Sequence, residues 1–269
     1  IRDLRIVSLF HCSIVKWLIG AGSAAAVLGL LQYLFYPDIR PLTSYGWDPH
    51  YYRVVATYLE PGFAGLIFVL TMILIITKNW ANWSNWAYLV RLALCYSAFA
   101  LTYSRASYLA YLAGMGLIAY FKKSVKFFLV ILGIFIFTLL VLPRPGGEGV
   151  KLERQASLWS RLQSWRQGFL LFKEKPIFGV GFNFYRSAAG NAAASHAGAG
   201  VDNSFIFVLA TTGIVGLFFY MRLFYKIIKN EALSLPIAAS LLVLIVHSLF
   251  NNSLFYSWAM IWFWFLLAA

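Results

Sequence analysis

The sixteen residues 61–76, PGFAGLIFVLTMILII, contain no charged side chain. A helix needs about 20 predominantly apolar residues to cross the hydrocarbon core of a bilayer, so this stretch would form most of one span. Seven other apolar runs occur along the chain, and charged or turn-forming residues separate them. The pattern predicts eight transmembrane helices, at residues 14–35, 61–76, 86–102, 108–121, 127–142, 204–225, 233–250 and 254–267.

The composition agrees with a membrane protein. Hydrophobic residues make up 61% of the chain and charged residues 12%, and the mean hydropathy is +0.75, whereas soluble domains have roughly 45–50% apolar and about 25% charged residues. We therefore expect an all-α, polytopic transmembrane helical bundle that forms a single transmembrane domain over residues 1–269. The chain begins at Ile1 without a charged leader and cleavage site, and we expect it to be the C-terminal part of a longer protein.

The distribution of Lys and Arg predicts the orientation of the bundle. The formal net charge of +13 comes from residues scattered between apolar runs, which argues against a nucleic-acid partner. Short loops rich in Lys and Arg stay on the cytoplasmic side, and the basic residues before the first span and after the second, fourth and sixth all fall on one side. The extracytoplasmic side then carries residues 37–60, 103–107, 143–203 and 251–253.

Residues 143–203 form a long extracytoplasmic loop that is basic although it lies outside. Long loops are exempt from the charge rule, so its basic side chains would bind either an anionic ligand or anionic lipid headgroups. Apolar residues at helical spacing predict an amphipathic helix on the membrane surface over about 157–172. The stripe consists of Leu158, Leu162, Trp165, Phe169 and Phe172.

Two glycines follow this helix in the stretch PIFGVG at 176–181. They would serve either turn geometry and packing or the exposure of backbone amides to a phosphate.

Four segments, in this order, resemble the superfamily of bacterial O-antigen ligases and O-antigen polymerases, which are membrane glycosyltransferases. Each motif alone is weak, but their order and their placement on one membrane face are specific. The segments are RVVATYLEPGFA at 53–64, TYSRASYLA at 102–110, RLQSW at 161–165 with PIFGVG at 176–181, and DNSF at 202–205 with TGIVG at 212–216.

The resemblance implies a GT-C-like fold and transfer of a glycan from a polyprenyl-diphosphate-linked donor to a hydroxyl acceptor, with no metal and no cofactor. The acceptor would be a glycan, the lipid A core or a protein, and the active face would lie on the outside of the bacterial cytoplasmic (inner) membrane. Arginine suits the diphosphate because its planar fork stays charged and binds two phosphate oxygens at once. The candidates are Arg53 and Arg105, then Arg161 and Arg166, and Arg105 also has a candidate catalytic role.

The sequence departs from the family pattern where a catalytic base is expected. The family's fourth segment often reads His-Asn-Ser, and its histidine is given a catalytic role, whereas this chain has Asp202 there. His196 precedes it in a stretch rich in Gly and Ala that would allow it to reach the same place. The base would therefore be His196 or Asp202, although Asp202 and Asn203 are also good caps for the following helix.

A transporter or channel for a small anion or solute is the alternative function. In that case Arg91 and His247, which lie within predicted spans, would line a pathway. His11, His50 and His247 do not have the spacing of metal ligands. The residues do not distinguish a ligase from a polymerase.

Overall fold

The computed structural model of the protein describes residues 2–45, 47–80, 85–190, 200–229 and 233–269, with side chains from residue 13 onward. The described residues form helices without a strand, apart from one isolated antiparallel bridge between Asp38 and Tyr51. This confirms the predicted all-α fold. The α-helices are α1 (Arg2–Phe35), α2 (Pro61–Lys78), α3 (Trp86–Ala100), α4 (Arg105–Phe121), α5 (Val125–Val141), α6 (Ala156–Glu174), α7 (Tyr185–Ala188), α8 (Ser204–Ile228), α9 (Leu235–Ser248) and α10 (Ser257–Ala268).

Each predicted span overlaps one of these helices, and polar caps set where several of them begin. The Glu60 side chain accepts a hydrogen bond from Gly62 N at 3.0 Å, and Pro61 occupies the first turn of α2. Asn203 Oδ1 accepts from Phe205 N and Ile206 N at 2.9 and 3.1 Å. Such caps satisfy amides that have no partner within the helix.

Helix α2 is the centre of the bundle. It packs against α1, α3, α4 and α9, and all its residues from Pro61 to Ile76 are buried except Phe63. A helix that is apolar on every side can be surrounded by other helices, as α2 is, or can face lipid. Helices α3 and α4 are joined by a short turn, but α4 packs most closely against α9 and α2, and aromatic side chains such as Phe99 and Tyr111 fill the space between α3 and α4.

Three described helical stretches are long and apolar enough to cross a membrane: Ser13–Phe35, Pro61–Lys78 and Ser204–Ile228. Four further apolar helices are shorter, at Trp86–Ala100, Val125–Val141, Leu235–Ser248 and Ser257–Ala268. The membrane-embedded helical character of the protein is thus supported, while the number of eight spans stays a prediction.

The predicted loop helix is present as α6, one or two residues longer than expected at each end. Its apolar stripe is only partly free of protein contacts. Leu158, Leu162 and Phe169 are exposed, but Trp165 packs against a second apolar cluster formed with α8. The two helices approach closely at Gly168, where an added Cβ would lie 2.7 Å from Ile206.

The PIFGVG stretch after α6 inserts into a kink of α8. Gly213 interrupts α8 with φ 67° and ψ −167°, so carbonyl groups of the preceding turn lose their helical partners. Val180 N and Gly181 N donate to Ala210 O and Thr211 O, both at 2.9 Å. The amides of these two residues therefore support packing rather than phosphate binding. At Gly179, φ is +67° and a Cβ would lie 2.3 Å from Thr211 C, so only glycine fits.

Candidate functional site

A polar cavity of about 680 Å³ lies at one end of the bundle. The segments that form it are those that the charge distribution assigns to one membrane side: the α1–α2 loop, the α3–α4 turn, the loop around α6 and the α9–α10 turn. The polar side chains that line it belong to Asp48, His50, Arg53, Glu60, Ser104, Arg105, Arg154, Ser157, Ser160, Arg161, Asp202, Asn251, Asn252 and Tyr256. Loops that are far apart in the sequence thus converge on one site.

Arg53 is buried where the α1–α2 loop crosses the α3–α4 turn. Its Nε donates to Thr102 O at 2.8 Å, and the backbone of the next residue, Val54 N, donates to Leu101 O at 2.9 Å. The turn itself is constrained because Tyr103 has φ 51°, which is unfavourable for a residue with a side chain. Sparsely populated backbone conformations of this kind are common in functional sites.

Arg105 and Arg154 join the long loop to the same turn. Arg105 Nη1 donates to Leu152 O at 3.2 Å and Nη2 to Ser157 Oγ at 2.6 Å. Arg154 Nη2 donates to Tyr103 O at 3.1 Å. The family motif at 102–110 identified Arg105 as a candidate from sequence. Nothing in the local sequence distinguished Arg154 from other basic residues of the loop.

The two arginines of α6 have different surroundings. Arg161 faces the cavity, where its Nη2 lies 3.5 Å from Asn251 Oδ1. Arg166 is exposed on another face of α6 and does not line the cavity. The structure therefore brings Arg53, Arg105 and Arg161 together and leaves Arg166 apart from them.

The positive charge of the cavity arginines is not neutralised by direct contact with carboxylates. Within the described ranges, none of the guanidinium groups of Arg53, Arg105, Arg154 and Arg161 forms an ion pair with a carboxylate. Burial, together with the positive charges of neighbouring arginines, lowers the pKa of Arg154 to about 10. Burial also lowers the pKa values of Arg53 and Arg161. Such a cluster favours an anion, because an anion would relieve this mutual repulsion.

Asp202 lies in the cavity, but it is not the cap of α8. The cap is Asn203, which corrects the expectation that both residues serve this purpose. The backbone of Asp202 is held by α6, since Ser164 Oγ accepts from its N at 3.1 Å and Trp165 Nε1 donates to its O at 2.9 Å. Burial raises the pKa of the Asp202 carboxyl; Arg161 opposes this shift, and Glu60 and Asp48 add to it. His196 lies outside the described residues.

A histidine–glutamate pair that sequence reasoning missed faces the same cavity. His50 Nε2 and Glu60 Oε2 are 3.0 Å apart. Burial acts to raise the pKa of Glu60, but the hydrogen bond and charge of His50, the charge of Arg53 and the Gly62 amide together lower it to about 2. Glu60 is therefore ionised at neutral pH. The sequence feature that could have drawn attention to Glu60 is the Glu-Pro dipeptide at the start of α2.

His247 and Arg91 lie in different surroundings. His247 is fully buried, with Ser253 Oγ at 2.6 Å and Ser107 Oγ at 3.2 Å from its ring nitrogens. Arg91 is exposed on α3, 5.6 Å from the centre of the Tyr88 ring. Neither residue lines the polar cavity or the apolar groove described next.

An apolar groove of about 750 Å³ lies beside the polar cavity, between α1 and α10. Tyr256 lines the cavity and Tyr58 lines the groove. The two sites are adjacent here, since Tyr256 Oη donates to Tyr58 O at 3.4 Å. The groove is lined by Ile14, Trp17, Leu18, Ala21, Ala24, Ala25, Leu28, Thr57, Tyr58, Ile67, Trp258, Ile261, Trp262 and Phe265.

The part of the chain that the structure describes contains no group of three His, Cys, Asp or Glu residues placed to hold a metal ion. The polar side chains of the cavity include guanidinium groups, which bind anions well.

Fold and site together define an α-helical membrane protein with a basic cavity at one end of its bundle. Residues 90–221 match a family model described as O-antigen ligase. This match confirms the resemblance to the O-antigen ligase and polymerase superfamily, and it includes Arg105, Arg154, Arg161 and Asp202. A search of curated proteins finds no match to the chain.

Proposed function

We propose that the protein transfers a glycan from a polyprenyl-diphosphate-linked donor to a hydroxyl acceptor, in the manner of an O-antigen ligase or a polysaccharide polymerase. The similarity to O-antigen ligases supports glycosyl transfer of this general kind. The more specific proposal rests on one observation: the guanidinium groups in the cavity have no carboxylate partner among the described residues.

The cavity arginines would hold the diphosphate of the donor and neutralise the charge that develops as it leaves. Guanidinium groups bind phosphate oxygens in a planar, two-point geometry, and donors fixed in advance stabilise a leaving anion at little further cost. Arg53, Arg105 and Arg161 are the proposed ligands, and Arg154 joins them on the basis of its position. Bonds to backbone carbonyls fix the guanidinium planes of Arg53, Arg105 and Arg154 without cancelling their charge.

The apolar groove would take the polyprenyl chain of the donor. A diphosphate in the cavity carries its isoprenoid chain through the phosphate ester, so the chain needs an apolar surface next to the cavity. The groove meets this requirement, because it adjoins the polar cavity at the contact between Tyr58 and Tyr256.

The acceptor hydroxyl must lose its proton during the transfer. Asp202 and His196 are the candidates that the family pattern suggests for this step. Asp202 has the required access, because it lines the cavity.

The active face would lie on the extracytoplasmic side of the bacterial inner membrane, and the acceptor would be a glycan, the lipid A core or a protein. The positions of the basic loops support this orientation. Labelling of Ser187→Cys in intact cells tests it. Reaction only after permeabilisation would place the long loop in the cytoplasm and overturn the proposal.

The activity is tested with the purified full chain, a polyprenyl-diphosphate-linked glycan and candidate hydroxyl acceptors. Release of polyprenyl diphosphate together with a glycosylated acceptor is the expected result, and no transfer to any acceptor class would contradict the proposal. Mass spectrometry of lipid-linked glycans in a deletion strain then assigns the reaction. Long chains left on the carrier lipid indicate a ligase, and single repeat units indicate a polymerase.

A further inference from the structure

The His50–Glu60 pair has the arrangement of a general base with a carboxylate that orients it. His50 is buried and lines the cavity, and the only side-chain hydrogen bond that it forms within the described residues joins Nε2 to Glu60 Oε2. If Nε2 carries the proton of this bond, Nδ1 has a lone pair available to accept another. A carboxylate bound to one ring nitrogen fixes the tautomer of a histidine and stabilises the imidazolium that forms on protonation.

The backbone holds both members of the pair in place. His50 O accepts from Ile39 N at 3.1 Å, and Tyr52 N donates to Pro37 O at 2.9 Å, so two segments of the α1–α2 loop are joined at His50 and again two residues later, around the Asp38–Tyr51 bridge. Glu60 is fixed through its second carboxylate oxygen, which caps α2. The preceding residue, Leu59, has φ 56°, a conformation that persists only where the surroundings impose it.

We infer that His50 accepts the proton of the acceptor hydroxyl and that Glu60 positions His50. This inference rests on the proposed glycan transfer. As the acceptor oxygen forms a bond to the anomeric carbon, the bond from that carbon to the diphosphate oxygen breaks. Its electron pair leaves with the polyprenyl diphosphate, and the hydroxyl proton passes to Nδ1 of His50.

Asp202 has the weaker arrangement for this role. Within the described residues no hydrogen-bond donor orients its carboxylate, and Arg161 interacts favourably with its negative charge. A carboxylate in this position is suited to holding hydroxyl groups of a sugar. His247 is also unsuited, because Ser107 and Ser253 occupy its two ring nitrogens away from the cavity.

The test compares His50→Gln, Asp202→Asn and His196→Ala in the full chain, with Tyr45→Ala as control. Tyr45 lies in the same loop as His50 but is 76% exposed. We expect His50→Gln to lower kcat by about 10²–10⁴-fold while its Kd for polyprenyl diphosphate, measured separately, stays at the wild-type value. Asp202→Asn and His196→Ala should lower kcat much less.

Glu60→Gln keeps an oxygen for the cap of α2 and tests the positioning role. Glu60→Gln should lower kcat, because the amide no longer fixes the ring of His50, while its Kd for polyprenyl diphosphate should stay at the wild-type value. In the His50→Gln background the same substitution should not lower kcat further, whereas a merely structural role of Glu60 would lower kcat in both backgrounds.

Wild-type kcat in a folded His50→Gln protein would overturn the inference, and so would the loss of kcat in Asp202→Asn or His196→Ala with His50→Gln active. Loss of polyprenyl diphosphate binding in His50→Gln would assign the residue to donor binding and also overturn it. Failure of the proposed function has a different signature, since wild type and Tyr45→Ala would then transfer no glycan.

Discussion

Arg53 and Arg154 donate hydrogen bonds to neighbouring carbonyl groups of one turn: Arg53 Nε to Thr102 O at 2.8 Å and Arg154 Nη2 to Tyr103 O at 3.1 Å. They come from the α1–α2 loop and from the long loop before α6. The carbonyls orient the two guanidinium groups without neutralising them, since neither arginine forms an ion pair in the described part of the chain. The turn thus holds like charges together, and an anion bound between them would reduce their repulsion.

Arg105→Lys should lose most transfer activity while the protein remains folded and inserted. Arginine bridges Leu152 O and Ser157 Oγ through separate nitrogens, and lysine, with a single nitrogen, cannot keep both contacts and also bind the diphosphate. We expect kcat to fall by roughly 10²-fold, as for the loss of one fixed donor to a developing anion. Single-turnover kinetics with the lipid-linked donor measure this. Near-normal turnover of Arg105→Lys would remove the residue from the site.

Arg161→Ala and Arg166→Ala form a matched pair on α6. Arg161 lines the cavity and Arg166 does not, so only Arg161→Ala should reduce kcat/KM. A hydrogen bond to a charged group contributes about 1.5–3 kcal/mol, which corresponds to roughly 10–100-fold. Equal losses in the two variants would show that the basic character of α6, rather than its cavity face, matters.

Ala24→Trp should obstruct the groove proposed for the polyprenyl chain. Ala24 lines the groove on α1, whereas Val27 is 38% exposed on the same helix and lies outside it, so Val27→Trp is the control. Each methylene group that leaves an apolar surface costs about 0.8 kcal/mol, and displacing two of them raises KM about 10-fold. KM for a long-chain donor should rise in Ala24→Trp, while a donor with a very short chain should be unaffected. An unchanged KM for the long-chain donor in Ala24→Trp would contradict this use of the groove.

Gly179→Ala should destabilise the docking of the PIFGVG stretch into the α8 kink. The added Cβ would lie 2.3 Å from Thr211 C at a φ of +67°, which we expect to cost about 2 kcal/mol or more and to lower Tm by roughly 4–8 °C. Gly133→Ala is the control, because nothing lies within 4 Å of its added Cβ. Thermal unfolding in detergent measures both variants, and an unchanged Tm in Gly179→Ala would refute the packing role.

The membrane helices could be predicted from sequence because their apolar runs are long. Helix α6 could be predicted because its polar and apolar residues repeat with the helical period. The site could be predicted only where a family motif marked it. The pairing of His50 with Glu60 depends on how the α1–α2 loop folds back between Ile39 and Tyr52, and no local pattern encodes that path. The role of Arg154 likewise depends on the position of Tyr103 O, which the Tyr103 backbone sets.

The apolar stripe of α6 shows a second limit. Its residues were expected to face a membrane together, but Gly168 lets α8 approach so closely that Trp165 joins a protein cluster instead. A glycine in a helix gives no indication of its packing partner from sequence alone, so the direction of the buried face could not be derived.

Affinity for the donor should increase as the pH falls through the range where Asp202 takes up a proton. Burial raises the pKa of Asp202, whereas Glu60 has a pKa of about 2 and stays ionised. Protonation of Asp202 therefore removes one negative charge from the cavity before Glu60 changes, and an anionic diphosphate diester, which remains ionised over this range, should bind more tightly. Donor binding measured against pH in wild type and Asp202→Asn tests this. Asp202→Asn should bind with the higher, low-pH affinity throughout; the same pH dependence in both proteins would assign the effect to another group.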